Sequence, residues 1–303
     1  MNDSIAASHH HGGAKAGPLS VSVRSQVVTI DGPAGAGKST VAALLAEKLG
    51  WRLLDTGAMY RCVALAAVRA VVPTDDEQAL GELASTLRVE LAPGLILLEG
   101  QDVTRAIRDP QISGLASVVA ACPSVRTTLV QWQRQFAQHH GVVTEGRDQG
   151  TVVFPDALLK VFLTASPEQR ARRRYEELTQ RGEPADLAEV LAQQIERDRR
   201  DASRSTGPMK VAEDAVIFDT SGLAIPVVVR ILDGIIRSGP PYPWMPGWSL
   251  GAQPVPSALS QMAQAWDRPG KRLVALGSTT NDAARASGLN EPYLIQSELE
   301  SQA

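Results

Sequence analysis

Residues Gly32, Pro33, Ala34, Gly35, Ala36, Gly37, Lys38 and Ser39 follow the spacing G-x-x-x-x-G-K-[ST] without a mismatch. Glycines at these positions let backbone N–H groups converge on an anion, and a helix starting at the lysine adds the positive end of its dipole. Such a loop cradles polyphosphate. Lys38 would reach the β- and γ-phosphates, Ser39 would hold Mg²⁺, and Thr40 completes the nucleotide-binding run Gly32 to Thr40. The flanks agree with this chemistry. Val27 to Ile30 is a short β-branched run that reads as a buried strand. Val41, Leu44, Leu45 and Leu49 share one helical face, and Gly50 supplies a stop.

Two further clusters can do chemistry. Glu145-Gly146-Arg147-Asp148 directly follows the strand-like Val142-Val143-Thr144. Ligands of open α/β sheets bind at the carboxyl ends of strands, so this turn belongs at the phosphate-loop end. Glu145 could order a water on Mg²⁺. The other cluster lies between Glu168 and Arg204, where every cation is an arginine. Arginine is the better fork for phosphate and carboxylate. Acids balance most of these arginines and make them a solvated salt-bridge surface. Arg197, Asp201 and Arg204 stand apart because they fall at i, i+4 and i+7 on one face. The apolar stripe Leu187, Leu191, Ile195 and Ala202 lies roughly opposite and is expected to pack.

The elements that position these groups alternate strand and helix from residue 25 to residue 238, which argues for a parallel α/β sheet. Trp51 to Asp55 reads as a second strand. Thr56 can cap a helix whose face carries Tyr60, Val63, Ala64, Ala67, Val68 and Val71. Leu87 to Leu91 and Leu95 to Leu98, around Pro93-Gly94, read as a hairpin outside the main sheet. Leu158 to Leu163 is a further strand. Ser166-Pro167-Glu168-Gln169 carries a capping serine, a first-turn proline and a capping-box glutamine, and Gly182 ends that helix. A helix from Asp186 to about Arg204, a strand from Ala215 to Phe218 and a helix through Val228, Leu232 and Ile236 complete the pattern. Residues 1–24 read as a disordered leader whose His9, His10 and His11 could be a tag or a weak metal tract. Residues 239–303 open with the proline-rich Pro240 to Gly247 linker and form an extension of unknown role.

Bulk properties narrow the function classes. The chain has 303 residues, 44% of them hydrophobic, and a net charge of −3. That charge gives no global pull toward nucleic acid or an anionic membrane. No uncharged apolar stretch reaches the ~18 residues of a spanning helix. Cys62 and Cys122 are too few and too isolated for a disulfide framework or a metal site. A cytoplasmic monomer acting on small molecules is the expectation. His139 and His140 read as a solvated helix end, so histidine catalysis has little support. A phosphate acceptor is already anionic and needs none.

Taken together, Ile30 to Ser39, Leu54 to Arg61, Glu145 to Ala157 and Arg197 to Arg204 resemble the bacterial cytidylate kinase family in order and spacing, from about residue 25 to residue 238. The resemblance implies a P-loop nucleoside monophosphate kinase fold. That fold has a five-stranded parallel sheet, an arginine-rich lid and a nucleotide-binding domain enlarged by a small sheet. It implies transfer of the γ-phosphoryl group of ATP to CMP or dCMP with Mg²⁺. By the same resemblance Ser117, Arg126 and Asp148 would read the cytosine, Asp201 with Arg197 would hold the ribose, and Thr56, Arg61, Arg147 and Arg204 would hold the acceptor phosphate. Lys38, Arg147, Arg197 and Arg204 would carry the catalysis. Two departures stand out: Thr56 occupies a position where the family often has serine, and Gln149 replaces a usual apolar residue. Two other readings stay open here. One is a P-loop kinase for another small acceptor, such as UMP or shikimate. The other is a P-loop switch or binding module without an acceptor pocket.

Overall fold

The computed structural model describes residues 26–221, 223–238, 274–275 and 295–296. The expected leader, the proline-rich linker and most of the extension lie outside the described residues.

The core is a parallel sheet whose strands read, across the sheet, β8 (Val216–Asp219), β7 (Leu159–Thr164), β1 (Val27–Asp31), β6 (Val142–Gly146) and β2 (Arg52–Asp55). The expected strands are all present, each within a residue or two of its expected limits. Two strands from the extension prolong the sheet beyond β8: β9 (Val274–Ala275) runs parallel to it and β10 (Ile295–Gln296) pairs antiparallel to β9. The central strand β1 is buried at all five positions, as a strand covered on both faces must be.

Helices α1 (Lys38–Leu49) and α8 (Ile225–Ser238) pack through Val41, Leu45, Val228, Leu232 and Ile235 against Val28, Ile30, Val161, Leu163 and Phe218. Burying each such side chain stabilises the fold by about 1.5–3 kcal/mol relative to exposing it. A second apolar body joins α2 (Thr56–Arg69), α3 (Glu77–Thr86), α4 (Pro110–Val119) and α5 (Pro123–Phe136). It also covers one face of a small antiparallel sheet of β3 (Val89–Ala92), β4 (Leu95–Leu98) and β5 (Gln101–Asp102). The expected hairpin is thus a three-stranded sheet, its third strand only two residues long. Among the described residues no single helix is long and apolar enough to cross a membrane.

Three local expectations are corrected. Asp55, not Thr56, caps α2: its carboxylate accepts from the Ala58 amide at 2.8 Å. Val71 lies past the end of α2, with φ 54° and 86% exposure, so the buried face stops at Ala67. Helix α7 (Leu187–Ser203) packs the other way round. Leu187 and Ile195 are 41% and 50% exposed, whereas Val190, Gln194 and Asp201 are buried. The residues expected to face a ligand therefore also form the packed face. Helix α7 lies on α6 (Pro167–Gln180) and the phosphate loop, with Gln194 donating to the Arg170 carbonyl, and little surface is left for the apolar stripe to cover.

Candidate active site

The phosphate loop leaves β1 through Gly32, whose φ of +140° suits glycine, and a Cβ there would run into the Leu163 carbonyl. Gly37 (φ +90°) caps α1 with no side-chain acceptor, and no acidic residue occupies the first turn. The first amides of α1 and its positive end therefore remain available to an anion. Lys38 is buried and donates to the Pro33 carbonyl at 2.7 Å. Burial, then repulsion from Arg147, lowers its pKa to about 7. The Ser39 hydroxyl donates to Glu145 Oε1 at 3.1 Å. Burial, then Asp55, raises the Glu145 carboxyl above its ordinary value.

Every residue expected to contact the acceptor lines one cavity of about 220 Å³: Thr56, Arg61, Ser117, Arg126, Arg147, Asp148, Arg197, Asp201 and Arg204. Ala34, Gly35, Ser39 and Glu145 border the same space, so the cavity opens onto the phosphate loop. The sheet explains the convergence. The carboxyl ends of β1, β6 and β2 lie side by side, with Asp31 opposite Gly146 and Asp55 opposite Glu145. Helices α4 and α5 bring Ser117 and Arg126 from the second apolar body, and α7 brings Arg197 and Asp201 from the opposite side. Arg204 caps the carboxyl end of α7 rather than lying within it.

Two ion-paired centres divide the cavity. In the first, Arg126 pairs with Asp148, and Arg126 Nη1 also donates to the Tyr60 hydroxyl at 3.3 Å. Burial raises the Asp148 carboxyl above its usual range despite Arg126. In the second, Asp201 accepts from Arg147 Nε at 2.8 Å, from Arg204 and from Ser117 Oγ at 3.3 Å. Burial alone would raise Asp201, but Arg147, Arg204 and Arg197 outweigh it and hold the carboxyl below its ordinary value. Burial, then repulsion from Arg147, lowers Arg197 to about 10. The buried Nε atoms of Arg61 and Arg197 have no hydrogen-bond partner. Unsatisfied guanidinium donors in a crowded cationic cavity are the complement of a phosphate group.

Some supporting residues were not singled out from the sequence. Tyr60 appeared only as a core residue, yet its hydroxyl meets Arg126. Arg170 and Arg173, expected to be solvated, donate to the phosphate-loop carbonyls of Ala34 and Gly35 at 3.0 and 3.4 Å. Arg170 also pairs with Asp198 at 2.6 Å and so ties α7 to the loop. A long, alternating run of charges hides such contacts, because partners distant in sequence leave no periodic trace. Thr56 lines the cavity, with its hydroxyl donating to the Glu145 carbonyl at 2.7 Å.

A parallel sheet whose central strand ends in a phosphate loop, beside an arginine-lined cavity, is the architecture of P-loop nucleoside monophosphate kinases. Comparison with known proteins narrows the class. Residues 28–237 match the family model described as cytidylate kinase. The chain is 51% identical over 222 residues to the cytidylate kinase of Azotobacter vinelandii, covering 71% of this chain and 97% of that one. It is 52% identical over 216 residues to that of Stutzerimonas stutzeri, covering 69% and 94%. The chain belongs to the cytidylate kinase family.

Proposed function

We infer that this protein transfers the γ-phosphoryl group of ATP to CMP or dCMP, giving ADP and CDP or dCDP. The observation that carries the reading is the single cavity, beside the phosphate loop, that collects all nine expected acceptor residues.

The chemistry follows from the geometry. An anionic oxygen of the acceptor phosphate attacks the γ-phosphorus, and the β–γ bridging oxygen leaves with ADP. The nucleophile carries no proton that must be removed, so the site needs cations more than a base. Lys38 and the α1 amides hold the donor phosphates. Arg61, Arg147 and Arg204, with Thr56, hold the acceptor phosphate, and Arg197 with Asp201 engages the sugar hydroxyls. Lys38, Arg147, Arg197 and Arg204 then neutralise charge as the phosphoryl group moves between two anions. Asp148 accepts from the cytosine N4 amine, while Arg126 donates to the N3 and O2 acceptors. Ser117, which lines the same cavity and donates to Asp201, completes the base subsite.

The Ser39 hydroxyl and the Glu145 carboxylate fit Mg²⁺, since both are hard oxygen donors and they lie within 3.1 Å of one another. Among the described residues no group of three or more His, Cys, Asp or Glu forms a cage for a metal, so the remaining ligands would be nucleotide oxygens and water. Bound there with the nucleotide, Mg²⁺ would neutralise the β- and γ-phosphates. The substrates are small molecules, and the enzyme acts as a cytoplasmic monomer. Sedimentation tests the oligomeric state.

The decisive assay couples ADP production to a reporter with CMP, dCMP, UMP, shikimate or no acceptor. Strong stimulation by CMP and dCMP is expected. Turnover that no acceptor changes would instead identify a slow P-loop hydrolase, and preference for UMP or shikimate would identify another acceptor kinase.

A further inference from the structure

Asp31 is the last residue of β1 and immediately precedes the phosphate loop. Its carboxylate reaches across to the backbone that follows β6. One oxygen accepts from the Gln149 amide at 2.9 Å, and the other accepts from the Gly150 amide at 2.7 Å. These two amides follow directly after Arg147 and Asp148, at the start of a single π-turn over Gln149–Val153. Asp31 itself is 4% exposed. Desolvating a carboxylate is costly, and this one finds no cationic partner in direct contact. Two backbone amides hold it instead.

The surroundings leave the turn little freedom on its other sides. The Gln149 side chain accepts from Thr144 Oγ1 at 2.9 Å and donates to Gln133 Oε1 at 3.1 Å, entirely within the interior. Gly150 packs so closely that an added Cβ would come within 2.9 Å of Thr29 Oγ1. The turn is thus held by a side-chain network as well as by Asp31.

We propose that Asp31 is a positioning residue for cytosine selection, holding the Asp148 backbone so that its carboxylate sits against Arg126 in the base subsite. Asp31 also joins, through two hydrogen bonds, the strand that ends in the donor loop to the turn that reads the acceptor. The inference rests on the assignment of Asp148 to the base. Its mechanism is geometric: the ionised carboxylate, the form present above about pH 7, has two acceptor oxygens, one for each amide, and asparagine has only one. In Asp31→Asn the amide nitrogen would oppose one N–H, donor against donor, and push the turn away.

The experiment compares kcat and KM for CMP, UMP and ATP in the wild type, Asp31→Asn, Gly150→Ala and Asp148→Asn. In Asp31→Asn, kcat/KM for CMP should fall ~10-fold, short of the ~10²-fold that a 1 Å misplacement can cost, and the CMP-over-UMP ratio should narrow at least ~3-fold. The loss should appear in KM for CMP more than in KM for ATP. Gly150→Ala displaces the same turn by a different contact, its added Cβ against Thr29 Oγ1 of β1, and should give the same pattern, which keeps the test open if Asp31→Asn folds poorly. A uniform loss with both acceptors and an unchanged ratio in these two variants would make Asp31 merely structural and overturn the proposal. If Asp148→Asn also leaves the ratio unchanged, the base assignment itself fails. If Asp148→Asn narrows the ratio while Asp31→Asn and Gly150→Ala do not, only the positioning role fails.

Discussion

At the scale of single residues, the site gathers six cations, Lys38, Arg61, Arg126, Arg147, Arg197 and Arg204, around a space bordered by three carboxylates, Glu145, Asp148 and Asp201. Their mutual repulsion is visible in Lys38 and Arg197, both pulled below their ordinary values by burial and then by Arg147. A bound phosphate relieves that repulsion, so the stabilisation appears on binding and during transfer. Lys38→Ala should therefore lower kcat by ~10²-fold or more, the size of effect seen when one preorganised donor is removed. Thermal unfolding of the variant should show an intact fold, and near wild-type turnover with ATP and CMP would place Lys38 outside the chemistry. Arg204→Lys keeps the charge but loses the planar fork. Its turnover should fall by more than ~10-fold, and by less than the ~10³–10⁵ attributed to a complete transition-state arginine. A smaller loss in steady-state kcat would mean that Arg204 serves only Asp201.

At the scale of elements, the junction of β1 with the turn after β6 has a consequence for stability. Burial raises the Asp31 carboxyl to about 7 against the two amides that lower it. Between its ordinary value and about 7, the folded protein keeps a proton that the unfolded chain has released. Stability from this group therefore declines as pH rises through that window and levels off above it. Asp31→Asn has no proton to lose. Urea unfolding from about pH 5 to about pH 8 should show the wild type losing stability relative to the variant as pH rises, by up to a few kcal/mol. Parallel curves would show that the carboxyl titrates at its ordinary value. This device could not be read from the sequence, where Asp31 is only the residue before a glycine loop. The strand positions, the phosphate loop and the cap at Ser166 were legible, because each depends on local spacing, whereas the order of strands across the sheet was not; Ser166 Oγ indeed accepts from the Gln169 amide. The orientation of α7 was not legible. Its apolar stripe suggested packing, but polar side chains that bind both ligand and protein can own the buried face. Gln149 misled in the same way: an amide where an apolar residue was expected turns out to be fully satisfied within the core.

At the scale of the whole molecule, the question is how the extension bears on the kinase. The α/β pattern closes with α8, and the five core strands, both apolar bodies and every residue of the candidate site lie before Gly239. Yet β9 adds two residues to the open side of β8, with Val274 opposite Ile217 and Ala275 opposite Phe218. An uncovered edge of a parallel sheet leaves backbone groups unpaired, and even a short added strand protects them. Phe218 and Val216 are already buried by β7 and α8, and β8 keeps its full pairing with β7, so the core does not need the added strand to hold its side chains. A chain truncated after Gly239 should therefore fold and phosphorylate CMP with a kcat and KM close to those of the full-length protein. The difference should appear in the backbone: amides of Val216–Asp219 should exchange hydrogen faster in the truncated chain, while those of β1 and β6, enclosed on both sides, should not change. Insoluble or inactive truncated protein would show that the extension completes the sheet rather than covering its edge. Unchanged exchange along β8 would show that the extension leaves the edge open in solution.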